Sequence, residues 1–241
     1  MIDIHAHLLP GVDDGPDSLE ESVAICRAAA ADGCDVLFAT PHQRHWLWSN
    51  TDRGELEALR GQLEARLGDT PTILPGGEIR VDDELLDDLP ELASSGALAL
   101  GSSRYLLIEF SRDGYGPSPE DVVHELVVAD WRPIVAHPEF VPSLAENVRL
   151  AARVRELGGS LQITAASLIG RFGAAARRSV ERLLDADLVD FVASDCHNLG
   201  YRPPGLAEAY RTLEARWGES TARRLTEGNQ RAILEDRPLA R

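Results

Sequence analysis

Three cysteines (Cys26, Cys34 and Cys196) are all that this chain of 241 residues carries, far apart and in no C-x-x-C arrangement. An odd, scattered set argues against a disulfide scaffold and suits a reducing compartment. Basic residues are scarce as well: 24 Lys and Arg face 40 Asp and Glu, for a formal net charge of −16. Such a charge offers no general attraction to nucleic acid or to an anionic membrane, so neither is an expected partner. No apolar run approaches the roughly 20 residues of a membrane-spanning helix. Candidate catalytic residues begin at position 5, so no secretory leader is expected and a cytoplasmic location is. Repeats, low-complexity tracts and linkers are also missing. Residues 1–241 therefore read as one domain, with 44% hydrophobic residues to fill its core.

What the chain does have is alternation. Short runs rich in Val, Ile and Leu predict strands over Asp3–Ala6, Val36–Thr40, Thr72–Ile79, Tyr105–Phe110, Pro133–Ala136, Ser160–Thr164 and Val189–Ser194. Amphipathic stretches lie between them. Ser18 and Glu21 read as a capping box for a helix that closes at Gly33. Further helices are predicted over Glu55–Leu67, Pro119–Ala129, Ser143–Leu157 and Ala174–Ala186, with the last ~40 residues helical. Strict alternation predicts a parallel α/β fold, a TIM-like barrel one unit short of (β/α)8, with catalytic groups at the C-terminal ends of the strands.

Candidate ligands fall at those ends. In Asp3-Ile4-His5-Ala6-His7, strand alternation turns both imidazoles one way and Ile4 and Ala6 the other. Asp14 follows in the next loop, His42 follows the second run, and Glu78 ends the third. Glu109, His137, and the pair Asp195 and His197 end later runs. Nine imidazole and carboxylate groups are too many for one ion and suit two or three, with Glu78 bridging. An N and O donor set favours Mn, Fe or Zn over soft-metal chemistry. Four carboxylates against three divalent ions leave positive charge for a phosphate dianion despite the acidic surface. A water shared by two metals would be acidic enough to attack phosphorus.

The ordered motifs D-I-H-A-H, D-D-G (13–15), T-P-H (40–42), G-x-E-I (76–79), L-I-E-F (107–110), A-H-P-E (136–139) and S-D-x-H-N (194–198) resemble the polymerase-and-histidinol-phosphatase superfamily. L-P-G-V-D-D-G, the run Q-I-T-A-A-S-L-I-G-R-F-G at 162–173 and R-P-P at 202–204 are similar, more narrowly, to its bacterial capsule-type protein-tyrosine phosphatases. This resemblance implies a distorted (β/α)7 barrel with three divalent ions, most often manganese. It implies one ion on His5, His7, Glu78 and Asp195, a second on Glu78, Glu109 and His137, and a third on Asp14, His42 and His197. The implied substrate is a phosphotyrosine protein, a tyrosine autokinase of polysaccharide export. Arg202 matches a phosphate-contacting Arg of these enzymes. Phe140 stands where they usually carry a second, and Arg171 or Arg80 could replace it from another loop. Asp14 or His42 could protonate the leaving oxygen.

Two other readings are kept: a small-molecule phosphatase, for instance one acting on histidinol phosphate, and a non-catalytic barrel that binds a partner kinase. The complete ligand set weighs against the second. Cys196 to Arg202 has the C-x5-R spacing of cysteine-dependent phosphatases, but Asp195 would raise the thiol pKa, so a chance match and a packed thiol are expected. His45, Trp46 and Trp48 could wall a phosphotyrosine ring or form a packing loop. His124 reads as a surface residue, Cys26 and Cys34 as buried ones, and the acidic runs Glu20–Glu21 and Asp82–Glu84 as solvated faces.

Overall fold

The computed structural model describes residues 1–89 and 97–240. Its first half runs β1 (Ile2–Ala6), α1 (Leu19–Ala31), β2 (Val36–Ala39), β3 (His42–Gln43), α2 (Arg53–Leu67), β4 (Thr72–Pro75), β5 (Glu78–Arg80) and β6 (Tyr105–Glu109). There follow α3 (Pro119–Val128), β7 (Arg132–Ala136), α4 (Pro142–Glu146), α5 (Val148–Glu156), β8 (Ser160–Thr164), α6 (Ala165–Leu168), α7 (Gly173–Asp185) and β9 (Phe191–Ala193). The chain ends in α8 (Leu206–Trp217), α9 (Glu219–Arg223), a π-helical turn over Arg224–Gly228, and α10 (Asn229–Leu234).

The fold is α/β with parallel sheets. One sheet has the order β1-β2-β4, the other β3-β5-β6-β7-β8-β9, and every pairing is parallel. The N–H of Asp195 donates to His5 O (2.8 Å) and that of His7 to Cys196 O (2.9 Å), so β1 also meets the chain leaving β9. Both faces of the strands are covered, as parallel sheets require. On β6, Leu106 and Ile108 join the main core while Tyr105 and Leu107 join a smaller cluster with Ile4, Phe38 and Phe191.

Local chemistry explains where the elements depart from expectation. The run 72–79 is two strands, because Gly76 and Gly77 break it and pass the chain from one sheet to the other. A Cβ at Gly77 would lie 2.1 Å from Gln43 Oε1, so any larger residue must displace the Gln43 side chain. Glu78 consequently opens a strand rather than ending one. The helix expected over 143–157 is interrupted at Asn147, whose side chain accepts from the N–H groups of Arg149 and Leu150 and starts α5 afresh. Ser18 caps α1 as expected, accepting from Glu21 N (3.3 Å), but Glu21 reaches back to Asp17 N rather than to Ser18. In β1 a register shift between Asp3 and Ala6 interrupts simple alternation, and Ile4 and Ala6 pack into different clusters.

Candidate metal centre

The two imidazoles of β1 and its exit meet at the centre of the site, His5 Nε2 lying 3.4 Å from His7 Nε2. Glu78 reaches both, Oε1 to His5 Nε2 and Oε2 to His7 Nε2, each at 3.4 Å. Asp195 Oδ1 completes this inner group at 3.4 and 3.6 Å. His137 Nε2 is 2.8 Å from Glu78 Oε1 and 3.9 Å from Glu109 Oε1. His42 faces two ways: Nδ1 is 3.0 Å from Glu78 and 3.7 Å from Glu109, and Nε2 is 3.4 Å from Asp14 Oδ1. His197 Nε2 meets the same Asp14 oxygen at 3.1 Å.

All nine candidate ligands are thus brought together. They form four overlapping sets whose donor atoms are close enough to share ions: His7, Asp14, His42 and His197; His5, His137 and Asp195; His5, His7 and Glu78; and His42, Glu78 and Glu109. Compared with the grouping implied by the motifs, His42 also stands beside Glu78 and Glu109, and His137 beside His5. Eight of the nine are buried, and only Asp14 reaches the opening, with 42% of its side chain exposed.

A further layer aims these rings. The Oε1 of Gln162 accepts from His5 Nδ1 (2.9 Å), Asp13 Oδ2 from His7 Nδ1 (2.7 Å), and the Asp195 carbonyl from His197 Nδ1 (3.0 Å). Each bond fixes a tautomer that leaves the Nε2 lone pair facing the cluster. Asp13 and Gln162 had no assigned role in the sequence. The available signals were the doubled Asp at 13–14 and a lone polar amide in the strand Ser160–Thr164. His137 (φ 32°) and Asp195 (φ 54°) both adopt left-handed backbone, the kind of strain that a surrounding structure maintains at a working site.

The electrostatics call for cations. Burial opposes charge on His5, yet Glu78 and Asp195 outweigh it and lift its pKa to about 9. Burial is overcome in the same way at His42, where Glu78, Asp14 and Glu109 raise it to about 11. Conversely the imidazoles, joined at Asp195 by Arg202, hold Glu78 and Asp195 below the usual carboxylate range despite burial. His42 Nδ1 is buried without a hydrogen-bond partner among the described residues, and Glu109 Oε2 is met only by ion-pair contacts, from Arg80 (3.2 Å) and His42 (3.7 Å). Clustered N and O donors, with three buried carboxylates and the partly exposed Asp14 among them, fit hard or borderline divalent ions.

Above the cluster opens a cavity of about 310 Å³. Trp48 stacks on His42, their ring planes 6° apart, and on His45 (4.8 Å); Trp46 is 81% exposed at the rim. All three of His45, Trp46 and Trp48 line the cavity. Arg202 also lines it, donating to Asp195 Oδ2 and lying 2.9 Å from His197 Nε2. Arg80 lines it while paired with Glu109 (3.2 Å), whereas Arg171 pairs with Glu208 outside it. Phe140 stands behind the wall, 6.0 Å from the His137 ring and 5.7 Å from that of Phe172.

Residues 1–235 match the family described as "Capsular polysaccharide synthesis, CpsB/CapC". The chain belongs to the CpsB/CapC family. Among its relatives is tyrosine-protein phosphatase YwqE of Bacillus subtilis (strain 168), 37% identical, the match covering 100% of this chain and 94% of that protein. Tyrosine-protein phosphatase CpsB of Streptococcus agalactiae serotype III is 30% identical, with 98% and 99% covered. A crystal structure from the work on YwqE of Bacillus subtilis and CpsB of Streptococcus pneumoniae, which are described as metal-dependent tyrosine phosphatases, superposes with a TM-score of 0.89. It is 34% identical, with both chains covered completely. A mutant organophosphorus hydrolase from Deinococcus radiodurans shares the fold alone, at 15% identity and a TM-score of 0.58, with 97% and 91% covered.

Outside the cluster, the cysteines and His124 of this CpsB/CapC chain lie where the sequence suggests. Cys196 is fully buried in the apolar core, and burial pushes its thiol well above the ordinary value. Cys26 and Cys34 are buried, and His124 is exposed. The acidic run 82–84 is more than a solvated face, because Asp82 joins Asp88 in clamping Arg44. No helix among the described residues is long and apolar enough to cross a membrane.

Proposed function

We propose that this chain is a metal-dependent protein-tyrosine phosphatase acting in capsule or exopolysaccharide control, its substrate a tyrosine autokinase of polysaccharide export, in the cytoplasm. The observation that carries this reading is the cluster of nine imidazoles and carboxylates beneath an aromatic-walled cavity, in a chain similar over its full length to named tyrosine phosphatases. Those relatives favour phosphotyrosine over histidinol phosphate. Residues 1–241 act as one domain. The two sheets, continued into each other at β2–β3, at β4–β5 and between β9 and β1, wrap into a distorted seven-position barrel with the cluster at its mouth.

His5, His7, Asp14, His42, Glu78, Glu109, His137, Asp195 and His197 would hold two or three divalent ions, manganese for preference, with iron or zinc as alternatives. When bound, such ions neutralise charge on the phosphoryl oxygens and lower the pKa of the attacking water. The protein's own residues do the rest. Arg202 directs its guanidinium at the phosphate, Trp46 and Trp48 flank the tyrosine ring, and the cavity excludes bulk water around the ester. Water adds to phosphorus, the bond to the phenolic oxygen breaks, and tyrosinate leaves. The attacking water gives up a proton and the leaving tyrosinate takes one up at the mouth, where Asp14, the one candidate ligand that reaches the opening, is placed to pass it.

Hydrolysis of a phosphotyrosyl peptide after chelation, then with Mn, Fe, Zn or Mg restored singly, tests the reading. Activity should vanish with chelation, return with manganese above the others, and be lost with bound metal in the His5→Ala/His7→Ala variant. Full activity in metal-free protein would reject it.

A further inference from the structure

Three guanidinium groups line the cavity: Arg80, Arg112 and Arg202. Two are committed to carboxylates, Arg80 to Glu109 and Arg202 to Asp195 and Asp14. Arg112 has no carboxylate partner among the described residues. Its guanidinium carbon lies 4.9 Å from the centroid of the Phe140 ring, in cation–π contact. That ring is braced in turn by Phe172 and by His137, one of the nine cluster residues. Arg112 sits in the loop after β6 and Phe140 in the turn after β7, so two adjacent parallel strands deliver a cation and its platform to one wall of the cavity.

The geometry points to Arg112 as a phosphate-binding residue of this cavity, held over Phe140 and free to present its fork to the substrate dianion. A planar guanidinium suits the role because it can stack on a ring with its face and still offer edge N–H groups to two phosphate oxygens. The existing ion pairs point the same way. An incoming phosphate must compete with Glu109 for Arg80 and with Asp195 for Arg202, but with no carboxylate for Arg112. Phe140 offers no donor of its own, and its part is to fix where Arg112 stands. Asp113, which also lines the cavity, would repel the same anion, so the paired guanidinium groups do not make Arg112 redundant.

This inference rests on the phosphatase reading for its substrate, but phosphate binding tests it without turnover. In metal-loaded protein, Arg112→Ala should weaken inorganic phosphate, measured by calorimetry, on the order of 10- to 100-fold, the range expected for losing a charged bidentate contact. KM for a phosphotyrosyl peptide should rise by a similar factor with a smaller change in kcat, and metal content should stay at the wild-type value. Arg112→Lys should recover little, because an ammonium neither stacks nor forks. Phe140→Leu should weaken phosphate several-fold by removing the platform, and Phe140→Arg in the Arg112→Ala background should restore most of the binding. Unchanged phosphate affinity in Arg112→Ala, or loss of metal from it, would overturn the assignment. Arg112-dependent phosphate binding by a protein that hydrolyses no phosphotyrosine would support it while sinking the phosphatase reading.

Discussion

Asp13 holds His7 from below: its Oδ2 accepts from His7 Nδ1 at 2.7 Å, and the same carboxylate takes the backbone N–H groups of Gly15 and His42. One buried side chain thus sets the orientation of the first imidazole pair and the start of β3. Gly15 lies so close that a Cβ there would meet the His7 carbonyl at 3.2 Å.

Removing that support should loosen the cluster without deleting a candidate ligand. Asp13→Ala is expected to cut metal affinity roughly 10- to 100-fold, the usual cost of losing the partner of a ligating histidine. Titration against a competing chelator measures this. Affinity equal to wild type would show that His7 needs no anchor.

Gly77→Ala should disturb both packing and chemistry. The new methyl would run into Gln43, whose amide is already occupied with Leu98 N and Asn50 O. Overpacking of this kind costs about 1–3 kcal/mol, so the melting temperature should fall together with bound metal, because Glu78 is the next residue. A variant that melts like wild type would mean that the Gln43 side chain can retreat.

Cys196→Ser should keep at least half of the phosphotyrosyl-peptide activity, since the thiol faces the core rather than the cavity. The buried hydroxyl should cost about 1–3 kcal/mol of stability. Loss of turnover with metal content intact would reopen a cysteine mechanism.

Asp236 gives a pH test far from the cluster. It accepts from the Arg104 amide (2.9 Å) and side chain (3.1 Å) and from Arg132 (2.7 Å). Slight burial would raise its pKa, but these partners outweigh it and hold the carboxyl below its ordinary value. A depressed carboxylate stabilises the fold above its unfolded pKa and loses that effect as pH falls through the folded one. Asp236→Asn should therefore melt below wild type from neutral pH down to about 4, with the gap closing in stronger acid. A gap independent of pH would exclude the charge as its cause.

Eight of the nine cluster residues were legible as imidazoles or carboxylates at or just past the end of an apolar run, and Asp14 as part of the loop after the first, because strand–helix alternation says where such run ends gather. The helices with clear caps, at Ser18 and Ser118, were legible for similarly local reasons. What escaped depends on contacts between segments distant in sequence. Nothing near Arg112 foretells its place over Phe140, which follows from the pairing of β6 with β7. Arg171, equally plausible in sequence, is drawn away by Glu208 on α8. The two-residue β3 is too short for any periodicity to reveal, and Asn147 looks like an ordinary helix residue until its side chain caps α5.

The seam between the first strand and the chain leaving the last has a consequence for how the protein is made. Asp3 accepts from Ser194 N across 191 positions of sequence, and His5 meets Asp195 at the same junction. At ribosomal speeds of about 5–20 residues per second, His5 and His7 emerge roughly 10–40 s before Asp195, the last of their carboxylate partners, exists. Completion of the cluster is therefore a late event in biosynthesis, and a nascent chain stalled before Asp195 would hold His5, His7 and Glu78 without it.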